Sequence, residues 1–167
     1  AATYASGISV TGPYASGSNA MLVKYNTSGT VQWARGLTAA ANSNLYSAVC
    51  IDSNGDAIVA GEGYGNGTFT ADTGVSATGF WSGAESPLLV KYSAAGTATW
   101  ARTVVSSGGS TRYYGVGCDT SGNIYAVGSQ GTTTAATYDT GVTATGTASI
   151  NAVVVKYNNS GTAQWAR

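Results

Sequence analysis

Residues Leu22–Arg35 read LVKYNTSGTVQWAR, and the chain carries two near copies of this stretch. Leu89–Arg102 is LVKYSAAGTATWAR, and Val154–Arg167 is VVKYNNSGTAQWAR. The closing arginines stand 67 and 65 residues apart. A period this long signals stacked structural units, not one irregular domain. It also marks the residues common to every copy as scaffold: Lys24, Lys91 and Lys156; Trp33, Trp100 and Trp165; Arg35, Arg102 and Arg167.

Further matches lie upstream of each copy. Tyr46-Ser-Ala-Val-Cys-Ile-Asp-Ser-Asn-Gly-Asp56 aligns with Tyr113-Tyr-Gly-Val-Gly-Cys-Asp-Thr-Ser-Gly-Asn123. Asp72-Thr-Gly-Val-Ser-Ala-Thr-Gly79 aligns with Asp139-Thr-Gly-Val-Thr-Ala-Thr-Gly146, and Ala5-Ser-Gly-Ile-Ser-Val-Thr-Gly12 is their counterpart near the start. The units are therefore 36–102 and 103–167, with 1–35 supplying only the second half of another. Each full unit predicts four strands, at about 46–52, 56–63, 87–93 and 97–104 in one, and about 113–119, 123–129, 151–158 and 162–167 in the other. Gly55 and Gly122 follow Asp/Asn/Ser clusters, and Gly29, Gly96 and Gly161 close the other hairpins. Glycine takes the positive φ such turns demand.

The runs LLVKY and VVVKY are apolar on both parities, as expected of strands covered on both faces. Four-stranded units stacked face to face around an axis make a β-propeller. The predicted fold is thus all-β: a propeller-type array of two four-stranded antiparallel blades and a half blade, with a β-sandwich as the alternative. The half blade predicts that further strands come from a longer chain or from a neighbour, because open β edges pair with other chains.

Composition narrows the function classes. Charged residues are 8% of the chain and the net charge is zero, against the basic patch that nucleic-acid binding needs. No apolar run reaches the ~18 residues of a membrane helix. The opening AATYASG is neither basic nor apolar, so no signal peptide is expected there. Abundant Ser, Thr, Gly and Tyr suit a secreted or cell-surface protein.

The order Asp-x-x-Gly-Asn/Asp, a short strand ending in Gly, a polar connector, then VVKY-x-x-x-Gly-Thr-x-x-Trp-Ala-Arg resembles bacterial β-propeller repeats of the SBBP kind. The likeness runs over essentially the whole chain, although the aspartate-phenylalanine-proline stretch usual in that family is absent from the connector. It implies an extracellular or envelope-associated protein, in a group where many members have no established activity.

Candidate chemistry is sparse. The Asp-Thr-Gly triplets at Asp72 and Asp139 match aspartic-protease loops, which need paired carboxylates ~3 Å apart. Here they fall in the same connector of successive units, which a rotational array keeps apart, so they read as turns. Asp52-Ser-Asn-Gly-Asp56 suggests a calcium loop, but position twelve is Gly63 and not Glu, so a hairpin is expected. The absence of His removes Ser-His-Asp and Cys-His catalysis. No enzyme, metal site or cofactor is expected.

Lys24, Lys91 and Lys156 inside apolar strands need partners, and Asp52 and Asp119 are the candidates. Residues private to one unit are the better place for a ligand: Tyr64, Phe80, Trp81, Glu85, Arg112 and Tyr114. Phe80, Trp81 and Glu85 occupy a connector longer than its counterpart, and loops carry binding residues. Exposed aromatics beside polar groups suit a glycan. Cys118 aligns with Ile51, one place on from Cys50. Alternate strand residues face opposite ways, so the two thiols either meet between units, as a possible disulfide, or point apart. Expected partners are other copies of the chain or the remainder of a longer propeller.

Overall fold

The computed structural model describes residues 1–167. It holds sixteen strands and no helix, hence no helix long and apolar enough to cross a membrane. In chain order they are β1 (Ala2–Ala5), β2 (Ile8–Val10), β3 (Met21–Tyr25), β4 (Val31–Gly36), β5 (Asn44–Ile51), β6 (Ala57–Tyr64), β7 (Thr68–Asp72) and β8 (Val75–Thr78). There follow β9 (Glu85–Tyr92), β10 (Ala98–Arg102), β11 (Thr111–Cys118), β12 (Ile124–Gln130), β13 (Ala135–Asp139), β14 (Val142–Thr145), β15 (Asn151–Tyr157) and β16 (Ala163–Ala166).

Two four-stranded sheets share one connectivity, β5-β6-β9-β10 and β11-β12-β15-β16, and β3-β4 is a separate pair. All pairings are antiparallel, and the register places Ala60 opposite Leu89 and Val127 opposite Val154. The strands close neither a barrel nor a ring.

The connector expected between the second and third strands is itself folded. It forms the hairpins β7-β8 and β13-β14, with β1-β2 as their counterpart. Both Asp-Thr-Gly triplets are the tips of these hairpins. Asp72 Oδ1 accepts from Thr73 N–H at 2.8 Å, Asp139 Oδ1 does the same for Thr140, and Gly74 and Gly141 sit at φ 76° and 75°. Alternation along TFTAD buries Phe69 and Ala71. That alternation uses small residues and Thr, so it reads as polar connector in the sequence.

One core joins Leu22 and Trp33 to Val59, Leu88, Val90 and Tyr92. The other joins Ile58, Leu89 and Trp100 to Tyr113, Ile124, Val155 and Tyr157. The central sheet is therefore packed on both faces, and β9 is buried along nearly its whole length. β15 departs from the expected two-sided cover. Val153, Val155 and Tyr157 are buried, while Ala152, Val154 and Lys156 are not. β3, with the same apolar run, has no fully buried residue. Apolar side chains on both parities equip a strand for two neighbours, and only the central sheet has both within this chain.

Candidate functional site

Two constellations carry most of the polar chemistry. The first is private to one place. Glu85 opens β9 directly opposite Tyr64 at the end of β6. The Arg112 guanidinium on β11 reaches Glu85 Oε1 at 2.5 Å and Glu62 Oε2 at 3.2 Å. Arg112 Nε lies near Glu62 without hydrogen-bond alignment, so that contact is an ion pair only. Ser110 Oγ donates to Glu85 Oε2 at 2.6 Å.

The two carboxyls shift in opposite directions. Burial pushes Glu62 up, with Arg112 opposing and Glu85 reinforcing. Burial also acts upward on Glu85, but the donors Ser110 and Arg112 outweigh it and hold the group down. Divergent carboxyls can mark an acid–base pair. Here one guanidinium faces both, and structural ion-pair networks shift carboxyls in the same way.

Beside the cluster lies a cavity of about 280 Å³ lined by Tyr14, Asn42, Asn44, Glu62, Tyr64 and Glu85, among others. The six predicted ligand residues do not converge on it. Tyr64 and Glu85 line it, and Tyr64 donates to Gly83 O at 3.2 Å. Arg112 is tied to the carboxylates. Phe80 borders a different cleft with Ala101 and Val104. Tyr114 borders a third, beside Val127, Val154 and Arg167. Trp81 is 40% exposed and lines none of these three clefts.

The second constellation repeats. Trp33 Nε1 donates to Ala94 O at 3.1 Å, and Trp100 Nε1 to Asn159 O at 3.0 Å. Arg35 Nε donates to Gly96 O at 2.6 Å, and Arg102 Nε to Gly161 O at 2.7 Å. Each guanidinium also lies over its own tryptophan, at 5.8 and 5.6 Å, a cation–π arrangement. So the Trp-Ala-Arg end of one strand pair grips the glycine turn of the next. Those turns must be glycine twice over. Gly96 and Gly161 have φ of 85° and 76°, and a Cβ there would stand 2.9 or 2.8 Å from the Trp33 or Trp100 ring.

The lysines belong to the same grip but differ from one another. Lys91 Nζ meets Asp52 at 2.8 Å and Asp56 at 3.1 Å, and it also contacts Asn159 Oδ1 of the next turn. Lys24 donates to Ala94 O at 2.8 Å and has no carboxylate. Lys156 does not pair with Asp119; it lies over the Tyr125 ring at 5.6 Å. Asp119 instead accepts from Asn123 Nδ2 and Tyr125 OH. Two residues differ from the earlier unit here: Asn123 stands in the place of Asp56 and Tyr125 in that of Ile58, and both donate to Asp119. Asp52 accepts from Asn54 N, Asp56 N and Lys91. Its oxygens are thus engaged within the hairpin. Burial acts upward on Asp52, but Lys91 and the two backbone amides prevail and lower its pKa.

The structure decides between the two readings left open for the cysteines, and it adds a feature that the sequence reading missed. Cys50 and Cys118 form a disulfide with Cα atoms 5.9 Å apart, tying β5 to β11. The offset of one position in the alignment is what turns the two thiols toward each other. A buried tyrosine pair also recurs. Tyr46 and Tyr92 hydroxyls are 2.9 Å apart, and those of Tyr113 and Tyr157 are 2.7 Å apart. Burial raises all four pKa values, so these hydroxyls stay protonated. The equivalent placing of the four tyrosines was the available signal.

No protein-family model matches this chain, and no curated protein matches it either.

Proposed function

We propose that the chain is a non-enzymatic, extracellular β-propeller-type scaffold that mediates protein–protein assembly or surface contact. In this reading 36–102 and 103–167 are whole blades and 1–35 is the second half of another. Its partners are copies of itself or further blades of a longer propeller. The observation that carries the reading is the Lys-Trp-Arg grip on the next glycine turn, made twice in the same direction. A contact that repeats with one sense builds arrays.

A non-enzymatic role is supported by the state of the carboxylates. Glu62 and Glu85 are held by Arg112, Asp52 by Lys91, and Asp72 and Asp139 serve hairpin tips. A secreted or surface location is supported by the disulfide, since such bonds persist in oxidising compartments. A carbohydrate-binding role is the second reading. It is favoured by Tyr14 and Tyr64 in a polar cavity, since sugars stack on aromatics beside hydrogen-bonding groups.

Electron microscopy of the native particle together with a glycan array separates the two. Ordered multimers without glycan retention are the expected result. Glycan binding lost on Tyr64→Ala, by a chain that forms no ordered particle, would overturn the scaffold reading.

A further inference from the structure

We infer that one end of this chain docks on the opposite end of a second copy, Lys156, Trp165 and Arg167 of one copy seating on the turn Asn26–Gly29 of the next. This rests on the scaffold reading and names its contact residues.

The chain makes the contact twice within itself and holds both halves of a third. In each internal case the donors come from the earlier segment and the glycine turn from the later one. The last set of donors is unengaged. Trp165 Nε1 and Arg167 Nε meet no acceptor, although Arg167 Nη1 makes the same local bond to the preceding carbonyl, Ala166 O, that Arg102 makes to Ala101 O. Lys156 Nζ reaches only the Tyr125 ring.

The first turn is unengaged in the matching way. Asn26 Oδ1 fixes it by accepting from Ser28 N and Thr30 N at 3.0 and 2.8 Å. Asn158 Oδ1 fixes the turn that receives Trp100 by accepting from Ser160 N and Thr162 N. Gly29 has φ 76°, as Gly161 does, yet nothing lies within 4 Å of the position a Cβ would take. The seat is built, and no tryptophan sits in it.

The flanking surfaces agree. On β3, Met21 and Tyr25 are 42% and 52% exposed, whereas their counterparts Leu88 and Tyr92 are 1% and 0%. On β12, Val127 is 45% exposed, whereas its counterpart Ala60 is 0%. Val127 and Val154 border an apolar cleft of about 400 Å³ that also includes Arg167. Both surfaces are those that the central sheet buries against its neighbours.

The occupant follows from this chemistry. It must offer a positive-φ glycine turn with outward carbonyls and an apolar strand beside it. A second copy carries that set at residues 21–29. The contact uses different patches on the two copies, so it is head-to-tail and propagates unless it closes into a ring.

Sedimentation velocity across a concentration series tests this on three proteins: the unaltered chain, Trp165→Ala/Arg167→Ala, and Ser28→Trp, which blocks the seat. Arg167→Ala alone serves as a milder donor variant. The unaltered chain should associate with rising concentration. Each variant alone should sediment as the 16.6 kDa monomer while keeping its fold by circular dichroism. Mixed one to one, the donor-blocked and seat-blocked chains should form a dimer and nothing larger, because one intact pair of ends is left between them. Association that survives both changes overturns this contact and leaves the assembly reading in place. Variants that fail to complement on mixing also overturn it. An unaltered chain that stays monomeric throughout overturns the contact, and the assembly reading then stands or falls on the native-particle microscopy.

Discussion

Lys91 is a residue where a single change reaches the buried charge balance of the fold. Its side chain is 5% exposed and its main partner Asp52 is 1% exposed. Breaking a buried pair from one side leaves an uncompensated charge, at about 3–5 kcal/mol. Lys91→Met should therefore lower unfolding stability by about that much in denaturant titrations. Lys91→Met with Asp52→Asn should recover part of the loss, since the two residues couple. Equal losses in the single and double variants would sink the pairing as an energetic unit. The same aspartate sets an acid limb. A carboxyl lowered in the fold gives stability that is full above the unfolded value near 4 and lost as pH falls through the folded one. Asp52→Asn should flatten that limb of the stability–pH curve. Glu62, raised by burial, acts with the opposite sign and softens it.

Among the elements, the Trp-Ala-Arg strand ends have unequal neighbours despite near-identical sequence. Trp33 and Trp100 are each 8% exposed and cap a glycine turn. Trp165 packs against Tyr125, with ring centroids 6.2 Å apart, and caps nothing. Removing a buried tryptophan costs about 3–5 kcal/mol. Trp100→Ala should approach that figure, and Trp165→Ala should fall well below it when measured on dilute protein. Equal losses at the two positions would show that the grip contributes little. The hairpins β7-β8 and β13-β14 follow a different rule. They add Phe69, Ala71, Ala136 and Tyr138 to the cores; the Asp-Thr-Gly tip is the same in both, while the large buried ring moves from the first inward position, Phe69, to the second, Tyr138.

At the scale of the molecule, the Cys50–Cys118 bond decides how firmly the two large sheets are joined. It spans 68 residues of sequence, and a cross-link of that length restricts the unfolded chain by about 4 kcal/mol in the chain-entropy account. Reduction, or Cys50→Ser with Cys118→Ser, should lower the denaturation midpoint accordingly. An unchanged midpoint under reducing conditions would refute the contribution. Gly117 stands where Cys50 has its counterpart, so the contact we infer between copies has no such bond and must hold by packing and hydrogen bonds alone.

The sequence by itself determined the four sheet strands of each full unit, their turns and their repeat, because two-residue alternation and glycine positions act locally, but it left the hairpins β1-β2, β7-β8 and β13-β14 as connector. It also marked Lys91 and Trp100 as scaffold, because recurrence implies a shared environment. Tertiary structure alone decided what each copy of a motif meets. Lys24, Lys91 and Lys156 share one strand position and have three different partners. Cys50 and Cys118 join because neighbouring sheets present facing strands. Tyr64, Phe80 and Tyr114, expected from the sequence to share a ligand site, disperse because no pattern in one chain fixes which sheet faces lie side by side. The repeated LVKY-to-WAR stretch specifies both a grip and a seat, and only the order of packing shows which of them the chain leaves open.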